Sequence, residues 1–349
     1  MACYKKNVRM QNRSLGKSTL KTAPLTLGTN VFGWTIDEKK SFEILDAFVH
    51  AGFSLIDTAN SYSRWVTGHK GGESETIIGN WLKKSGKRDQ VIIATKVGSD
   101  MGQGRKDISQ EHILKQAEDS LKRLQVDHID LYQTHWDDGI TPVEETLSAY
   151  ARLIAEGKVR YIGASNLSPQ RLLDSLQTSD KSGLPRYETF QPEYNLYARE
   201  GYEKEIEKIC LDHQLGVINY YSLAAGFLTG KYRSADDSSK SVRGESNKKY
   251  LNERGFRILN ALDVVAKKYD IPQASVAIAW LIARPSVTAP IASATSLSQM
   301  DALIKATTVT LDNESMELLN SASARGNNCN PLHGFYLLIL SKKLWANRN

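Results

Sequence analysis

The sequence predicts an α/β protein folded as a (β/α)8 barrel, also called a TIM barrel, and two observations carry that prediction. Between about residue 25 and residue 310, short apolar or β-branched runs alternate with longer segments of helical periodicity. The short runs number eight, and each ends in a small cluster of polar residues. Alternating strands and helices predict a parallel sheet, and eight such units close most simply into a barrel.

The eight predicted strands are runs of four to seven residues. In chain order they cover residues 24–28, 53–57, 91–96, 129–135, 159–165, 188–191, 216–221 and 287–292. Amphipathic segments between them predict the helices. Residues 37–51, for example, place apolar side chains on one stripe behind Asp37, a favourable N-cap. Ser109 and Ser168 are favourable N-caps of two later helices.

An open, doubly wound sheet is the alternative architecture. A dinucleotide-binding fold of that type has a G-x-G-x-x-G turn after its first strand, and "LGTNVFG" at 27–33 lacks this pattern. "LGKST" at 15–19 imitates a phosphate-binding loop, but Gln11 stands where that motif requires glycine. The segment is therefore interpreted as part of a β-hairpin at about residues 11–23, ahead of the first barrel strand.

Composition and charge fit a globular protein. Of the 349 residues, 41% are hydrophobic and 24% are charged, which is ordinary for such a protein. The net charge of +6 comes from the ends, since residues 1–21 carry six lysines and arginines and residues 325–349 carry four, with no acid in either. Residues 22–324 therefore carry −4, and without a basic stripe through the fold we expect no nucleic-acid partner. The domain prediction is a single barrel over residues 1–324 with a C-terminal tail, 325–349, of unassigned role.

The cysteines and the apolar runs indicate a cytoplasmic protein. Cys3, Cys210 and Cys329 are far apart and odd in number, which fits neither a disulfide framework nor a zinc site. The basic N-terminus lacks the apolar stretch of a secretory signal, and the apolar run at residues 335–340 is too short to span a bilayer. We therefore expect no metal and no membrane partner, and the oligomeric state stays open.

Polar side chains follow the predicted strands at the ends where a barrel of this kind carries its active site. Those nearest the strand ends are Asp57, Asn60, Tyr62, Lys96, His135, Ser165, Asn166, Gln191, Tyr220 and Tyr221. A single polar strand end is uninformative, but consecutive strand ends converge on one mouth of a barrel. The sequence therefore predicts one site that spans these ends.

Four of these residues suggest acid–base chemistry. A buried Lys96 needs a counter-ion, and Asp57 at the adjacent strand end is a natural one. A positive charge held there would lower the pKa of Tyr62 from about 10, which would make Tyr62 a usable acid near neutral pH. His135, from the next strand end, would donate a hydrogen bond to a substrate oxygen.

The ordered motifs resemble the aldo-keto reductase family. They are "LIDTANSY" at 55–62, "IATKVG" at 93–98, "DLYQTHW" at 130–136, "GASN" at 163–166, "FQPEYNL" at 190–196 and "SLAAGFLTGKY" at 222–232. The resemblance covers roughly residues 13–324 and implies NAD(P)H-dependent reduction of small aldehydes or ketones. It further implies that hydride passes from the nicotinamide to the carbonyl carbon and that Tyr62 protonates the developing alkoxide. In the same scheme, Lys96 and Asp57 tune Tyr62, while His135 orients the carbonyl.

The resemblance also implies which residues bind the cofactor. They are Ser165, Asn166, Gln191, Tyr220, Tyr221, Ser222, Leu223, Gly226, Lys231, Arg243, Ser293, Thr295 and Gln299. The first three would hold the carboxamide, and Tyr220 would stack under the nicotinamide ring. Residues 222–232 would wrap the pyrophosphate, and Arg243 in the polar loop at 233–250 would close over the cofactor.

The residues expected to bind the 2′-phosphate of NADPH depart from the family pattern. Ser293 stands in place of a glycine and Thr295 stands where a basic residue is usual, while Gln299 is kept for the adenine. Ala302 and Leu303 replace the glutamate and asparagine of the pattern. Because hydroxyl groups can still bind a phosphate, NADPH is the expected cofactor and NADH is the alternative.

Three tryptophans are candidates for the substrate site, and two alternative functions stay open. Trp34, Trp65 and Trp136 are expected to line the substrate site, with ordinary packing as the other interpretation of each. A nucleotide-sensing regulatory subunit, as in the channel-associated relatives of the family, would bind cofactor but turn over poorly. A barrel hydrolase would need paired carboxylates, for which Asp137 and Asp138 are the candidates, although adjacent residues point to opposite sides of a strand.

Overall fold

The computed structural model describes residues 11–240 and 242–325. The expectations for Cys3, Cys329, the apolar run at 335–340 and nearly all of the C-terminal tail lie outside the described residues. The one cysteine within them, Cys210, is buried with a free thiol.

Ten strands form two sheets. They are β1 (Arg13–Ser14), β2 (Lys21–Thr22), β3 (Thr26–Gly28), β4 (Leu55–Asp57), β5 (Ile92–Val97), β6 (Ile129–Thr134), β7 (Val159–Ser165), β8 (Tyr187–Gln191), β9 (Gly216–Val217) and β10 (Ile291–Ala292). β1 and β2 pair antiparallel as the predicted hairpin. The other eight form a sheet in the order β10-β3-β4-β5-β6-β7-β8-β9, with every neighbouring pair parallel.

The two edges of this sheet meet. The amide of Thr288 donates to the carbonyl of Val217 at 2.8 Å, and the amide of Ile291 donates to the carbonyl of Asn219 at 2.9 Å. These bonds join the β9 edge to the segment that leads into β10. The prediction of a (β/α)8 barrel is confirmed, and the open doubly wound sheet is wrong.

Helices connect the strands in the predicted alternation. They are α1 (Glu38–His50), α2 (Glu73–Ser85), α3 (Gln110–Leu124), α4 (Val143–Ala155), α5 (Pro169–Ser182), α6 (Glu200–Glu203), α7 (Ile206–Asp212), α8 (Gly244–Asn247), α9 (Glu253–Tyr269), α10 (Gln273–Ile282), α11 (Leu297–Ala306) and α12 (Asn313–Ser323). Short 3-10 turns lie at Arg88–Gln90, Ala224–Thr229, Ala235–Lys240 and Lys248–Tyr250. Asp37, Ser109 and Ser168 each accept a hydrogen bond from a backbone amide of the first turn, which confirms the predicted N-caps.

The hairpin closes the floor of the barrel. Leu15 and Leu20 are buried with apolar side chains that point inward from the barrel strands. The guanidinium of Arg13 donates to the carbonyl oxygens of Ile282 at 3.0 Å and Val287 at 2.9 Å. Because the hairpin occupies this end, ligand access is directed to the opposite mouth, where the strands end.

The "LGKST" segment is the hairpin turn and not a phosphate-binding loop. Gly16 has a φ of +64°, and a Cβ at this position would lie only 2.1 Å from the carbonyl oxygen of Glu188. The amide of Lys17 donates to the Glu188 carboxylate at 2.7 Å. A carboxylate seated against this turn occupies the place that a phosphate would need.

Two strands end earlier than predicted, at the ends that face the cavity. β6 ends at Thr134, so that His135 follows the strand, and β9 ends at Val217 although the prediction ran to Tyr221. Beyond β9, the amide side chain of Asn219 donates to the carbonyl of Tyr194 at 2.7 Å. The amide of Tyr220 also donates to the carbonyl of Pro192 at 2.9 Å, so the segment after β9 stays bonded to its neighbour and remains at the mouth of the barrel.

Candidate active site

A cavity of about 830 Å³ opens at the carboxyl ends of the strands. All predicted site residues except Asn60, Lys96 and Trp34 line it, and the side chain of Asn60 instead donates to Gln116 at 2.8 Å. Those in its wall are Asp57, Tyr62, Trp65, His135, Trp136, Ser165, Asn166, Gln191, Tyr220, Tyr221, Ser222, Leu223, Gly226, Lys231, Arg243, Ser293, Thr295 and Gln299. The sequence prediction of one shared site therefore corresponds to one continuous cavity.

Lys96 lies directly behind the wall and connects two of its residues. Its Nζ donates to Asp57 Oδ2 at 2.6 Å, to Tyr62 Oη at 2.9 Å and to the carbonyl oxygen of Thr58 at 2.8 Å. These three bonds use all three protons of the ammonium group. Asp57 and Lys96 are completely buried, so the pair is held in a low-dielectric setting with its hydrogen bonds satisfied.

Strand register explains why this pair forms. Asp57 of β4 lies opposite Ala94 of β5, and Lys96 lies two residues further along β5. Residues two apart on a strand point to the same face, so Ala94 and Lys96 both face the barrel interior. Asp57 ends its own strand beside them, which brings its carboxylate within reach of the ammonium group.

Two glutamines hold the other oxygen of Asp57. Gln191 Nε2 donates to Asp57 Oδ1 at 2.9 Å, and Gln133 Nε2 donates to the same atom at 3.2 Å. Sequence reasoning missed Gln133. A signal was present, because Gln133 shares the inward face of β6 with Leu131 and stands at a position where a polar residue needs a partner.

The predicted lowering of the Tyr62 pKa is wrong. Burial, followed by the Asp57 carboxylate, raises the pKa of Tyr62 well above its ordinary value. The nearby Lys96 ammonium does not outweigh burial and the Asp57 carboxylate. Tyr62 therefore keeps its proton at neutral pH. Its oxygen accepts from Lys96, and its hydroxyl donates to Asp57 Oδ2 over 3.4 Å, a long bond that a nearer acceptor in the cavity would replace.

His135 faces the cavity as a neutral ring. Burial, followed by the positive charges of Lys96 and Lys106, lowers the pKa of His135 well below 6.5. Its Nδ1 lies 2.9 Å from the hydroxyl oxygen of Ser99, and the centroid of its ring lies 6.2 Å from that of Tyr62. Sequence reasoning missed Ser99, which lines the cavity just beyond the end of β5.

A chain of hydrogen bonds links the expected carboxamide site to His135. Asn166 has a φ of +53°, and its Nδ2 donates to the carbonyl of His135 at 3.0 Å and to Ser165 Oγ at 2.9 Å. The hydroxyl of Tyr220 donates to Asn166 Oδ1 at 2.9 Å. Asn166 tolerates the left-handed backbone conformation better than most residues, and this conformation turns its amide back toward the neighbouring strand.

The expected pyrophosphate segment has an unusual backbone. Tyr221, Ala224, Ala225 and Gly226 all have positive φ values. Such conformations are uncommon for residues other than glycine and concentrate at ligand clamps. A Cβ added at Gly226 would lie 3.7 Å from Lys231 Nζ, in ordinary van der Waals contact, so the φ of +95° and not crowding favours glycine here.

At the far end of the cavity the hydroxyl-rich residues bond to one another. Ser293 Oγ donates to Asn30 Oδ1 at 2.9 Å, and the amide of Thr295 donates to Gln299 Oε1 at 2.9 Å. Ser296 caps the N-terminus of α11 directly after them. Asn30 also lines the cavity and was not among the predicted residues.

The charge of the cavity favours an anionic ligand. In the described part of the chain, Asp57 is the one carboxylate that lines it, and Lys96 offsets its charge. Lys231 and Arg243 add two positive charges to the wall. The guanidinium of Arg243 lies 5.0 Å from the ring centroid of Trp34, which anchors the polar loop across the mouth.

Aromatic rings flank the acid–base group. Tyr62 meets Trp65 edge-on with centroids 6.1 Å apart, and Trp136 stacks on His135 at 5.7 Å. Trp65 is 51% exposed, an unusual position for an indole that only packs. Trp34 lies behind Trp65, at 5.5 Å, and outside the cavity wall. The substrate-binding role of all three tryptophans stays a prediction.

The acidic pair weighed for a hydrolase has structural partners. Asp137 lies 3.2 Å from the guanidinium of Arg171, and Asp138 accepts from the hydroxyl of Thr141 at 2.6 Å. Neither carboxylate lines the cavity. Within residues 11–240 and 242–325 there is no group of three or more potential metal ligands among histidine, cysteine, aspartate and glutamate. The same residues contain no helix long and apolar enough to cross a bilayer.

A barrel whose mouth holds a bonded Asp–Lys–Tyr group, a neutral histidine and a positively charged cleft has the features of an enzyme site that transfers a proton and binds an anionic ligand. The sequence matches the Aldo/keto reductase family over residues 24–324, and the chain belongs to that family. Its members act on carbonyl groups of small substrates and use nicotinamide cofactors. This match confirms the predicted family and its oxidoreductase chemistry.

The similarity to individual relatives covers most of the length of each. Uncharacterized oxidoreductase YrpG of Bacillus subtilis is 36% identical over 318 residues, which are 89% of this chain and 95% of the relative. Aldo-keto reductase YhdN of the same organism is 33% identical over 323 residues, or 89% and 93%. A probable voltage-gated potassium channel subunit beta of Arabidopsis thaliana is 33% identical over 308 residues, or 86% and 92%.

Proposed function

We propose that this protein is an NADPH-dependent reductase of aldehydes or ketones in which Tyr62 is the general acid. The observation that carries the proposal is the buried contact set around Lys96, which donates to both Asp57 and Tyr62 at the base of the cavity. An acid that keeps its proton at neutral pH, next to a neutral hydrogen-bond donor, is what reduction of a carbonyl requires.

The donor set of the cavity fits a dinucleotide. Lys231 and Arg243 supply positive charge for a pyrophosphate, and Gly226, which lines the cavity without a side chain, lets a phosphate approach the backbone. Ser165, Asn166 and Gln191 offer the amide and hydroxyl groups that would hold the carboxamide. When bound, the nicotinamide supplies the hydride.

Residues of the chain supply the proton, stabilise the resulting phenolate and orient the carbonyl. Tyr62 Oη gives its proton to the carbonyl oxygen as negative charge develops there, because an alkoxide is more basic than a phenolate. Lys96 then stabilises the phenolate through the bond it already makes, and Asp57 keeps Lys96 charged. Neutral His135 donates a hydrogen bond to the same oxygen and orients the carbonyl. Trp65 and Trp136 flank the reacting group and limit access of water.

The choice of NADPH rests on the hydroxyl groups at the far end of the cavity. Ser293, Thr295 and Ser298 line that end, and the N-terminus of α11 adds oriented amides, which together suit an additional phosphate. Without a lysine or arginine there, the affinity gain over NADH is expected to be smaller than in a site with a basic residue. NADH is therefore the competing cofactor.

Fluorescence titration of the purified protein with NADPH and, separately, with NADH tests this proposal. We expect tight binding of NADPH and much weaker binding of NADH. Equal or stronger binding of NADH would overturn the choice of cofactor. Binding of neither would refute the cofactor site as a whole.

A redox-sensing regulatory subunit is the second candidate, and the similarity to the Arabidopsis channel subunit favours it. Steady-state turnover separates the two functions. With NADPH and an unhindered aromatic aldehyde, a reductase gives many turnovers per site. A regulatory subunit would bind NADPH equally well but oxidise it about once per site, with slow exchange of the product.

A further inference from the structure

Ser99 lines the cavity beside His135 and contacts its ring. Its hydroxyl oxygen lies 2.9 Å from His135 Nδ1, and the backbone amide of His135 donates to the carbonyl of Val97 at 2.7 Å. Gly98, between Val97 and Ser99, has a φ of +108°, which turns the chain so that Ser99 faces the ring. The end of β5 therefore contacts both the backbone and the side chain of His135.

The contact at Nδ1 controls what the other ring nitrogen can do. A neutral imidazole carries one proton, so one nitrogen donates and the other accepts. If Ser99 donates to Nδ1, the proton of the ring is on Nε2. If Nδ1 donates to Ser99 instead, Nε2 presents a lone pair to the cavity.

The surroundings of Ser99 favour the first arrangement. Within the described residues, His135 Nδ1 is the one hydrogen-bond partner of the Ser99 hydroxyl, whereas Gln103 Nε2 bonds to the backbone oxygen of Ser99. A hydroxyl that accepted from Nδ1 would leave its own proton without an acceptor among the described protein groups. A hydroxyl that donates to Nδ1 satisfies both groups.

The chemistry of the bound carbonyl points the same way. A carbonyl oxygen is an acceptor only, so it is attracted by an N–H group and repelled by a lone pair. The imidazolium form, which would supply protons on both nitrogens, is disfavoured by burial and by the charges of Lys96 and Lys106. The ring can therefore act as a donor only as the tautomer with the proton on Nε2.

We propose that Ser99 is a positioning residue that holds His135 in the Nε2-protonated tautomer, so that the ring donates a hydrogen bond to the carbonyl oxygen. This inference rests on the proposed reductase function. The hydroxyl of Ser99 does not touch the reacting atoms and acts through His135. Loss of an outer partner of this kind, like the partners that orient metal-bound histidines, typically costs about 10- to 100-fold in activity.

The test combines kinetics with a direct view of the tautomer. Ser99→Ala, Ser99→Thr and the wild type are labelled with 15N-histidine, and the two ring nitrogens of His135 are assigned by comparison with His135→Asn. We expect an Nε2-protonated ring in the wild type and in Ser99→Thr. In Ser99→Ala we expect a mixture of tautomers and a kcat/KM for an aromatic aldehyde that is about 10- to 100-fold lower.

The control is Ser175→Ala. Ser175 is buried in α5, and its hydroxyl donates to the carbonyl of Arg171 at 2.8 Å, away from the cavity. The Ser175→Ala variant loses one buried hydroxyl group and should change neither the His135 tautomer nor kcat/KM. An Nδ1-protonated wild-type ring, or a ring in Ser99→Ala that stays wholly Nε2-protonated, would overturn the inference. If the wild type reduces no carbonyl, the reductase proposal fails, and the nitrogen shifts still decide the tautomer.

Discussion

Gln191 donates a hydrogen bond of 2.9 Å from its amide nitrogen to Asp57 Oδ1, and this bond joins the expected carboxamide site to the acid–base group. Gln133 reaches the same oxygen at 3.2 Å from β6. Gln191 lines the cavity, and Gln133 lies deeper, outside its wall. The two glutamines thus make the same contact from two different positions.

Replacing each glutamine by leucine should separate these positions. A hydrogen bond to a charged group is worth about 1.5–3 kcal/mol, so Gln133→Leu should lower kcat/KM by about tenfold or more while NADPH affinity stays unchanged. Gln191→Leu should lower kcat/KM and also weaken NADPH binding. Steady-state kinetics and cofactor titration of the two variants measure this. Weakened NADPH binding in Gln133→Leu would contradict the separation.

Tyr62→Phe tests the general acid. The variant should fold and bind NADPH as the wild type does, because the ring stays in place and only the hydroxyl is lost. Turnover of an aromatic aldehyde should fall by about 10²- to 10⁴-fold, the usual contribution of a positioned acid. Stopped-flow measurement of NADPH oxidation is the readout, and full activity would assign the acid to another residue.

Lys96→Met tests the buried ion pair through stability. Removal of the ammonium leaves the Asp57 carboxylate buried without its partner, which should lower the free energy of unfolding by about 3–5 kcal/mol. The double variant Asp57→Asn with Lys96→Met removes both charges and should recover most of that loss without recovering activity. Urea unfolding of both variants measures the difference. Equal destabilisation in the single and double variants would show that the cost comes from packing.

The pH dependence of reduction follows from the two shifted groups. The pKa of Tyr62 is raised, so its acid form persists through neutral pH, and kcat/KM should fall only on the alkaline side. The pKa of His135 is lowered well below 6.5, so its charge does not change between pH 6 and 8. The profile of kcat/KM should therefore be flat across that range. A step near 6.5 that disappears in His135→Asn would show that the ring is protonated there.

Arg243→Ala tests the polar loop over the cofactor. Loss of the guanidinium that lines the cavity should weaken NADPH binding by about tenfold, consistent with one charge-assisted hydrogen bond. Arg233→Ala is the matched control, because Arg233 lies on the same loop but pairs with Asp263 at 2.9 Å outside the cavity. Fluorescence titration of both variants gives the comparison. An equal loss in both would point to the loop as a whole.

The order of elements and the clustering of the site could be predicted from the sequence. Eight apolar runs indicated the barrel, and polar residues at consecutive strand ends indicated one mouth, because parallel strands end on the same side. The hairpin was predictable because Gln11 breaks the phosphate-loop pattern in the segment around Gly16. These inferences need only the type and spacing of residues.

The contacts within the site could not be predicted in the same way. The link from Ser99 to His135 depends on the turn at Gly98, and the link from Gln133 to Asp57 depends on register across three strands. The sign of the Tyr62 pKa shift was also out of reach, because it is the balance of burial, a carboxylate and an ammonium group. Each of these three effects alone would shift the pKa strongly, and only the interatomic distances determine the direction of the net shift.

Docking of the hairpin on the floor of the barrel affects how the chain folds during its synthesis. Arg13 bonds to the carbonyl of Ile282, which lies 269 residues later, and Leu15 and Leu20 pack against strands from across the whole barrel. The hairpin is thus synthesised long before the last of its barrel partners. Contacts so distant in sequence form slowly, so these leucines stay exposed until those partners have been synthesised. Docking of the hairpin is then a late checkpoint, at which a nascent chain with an incomplete barrel is still open to chaperones and proteases.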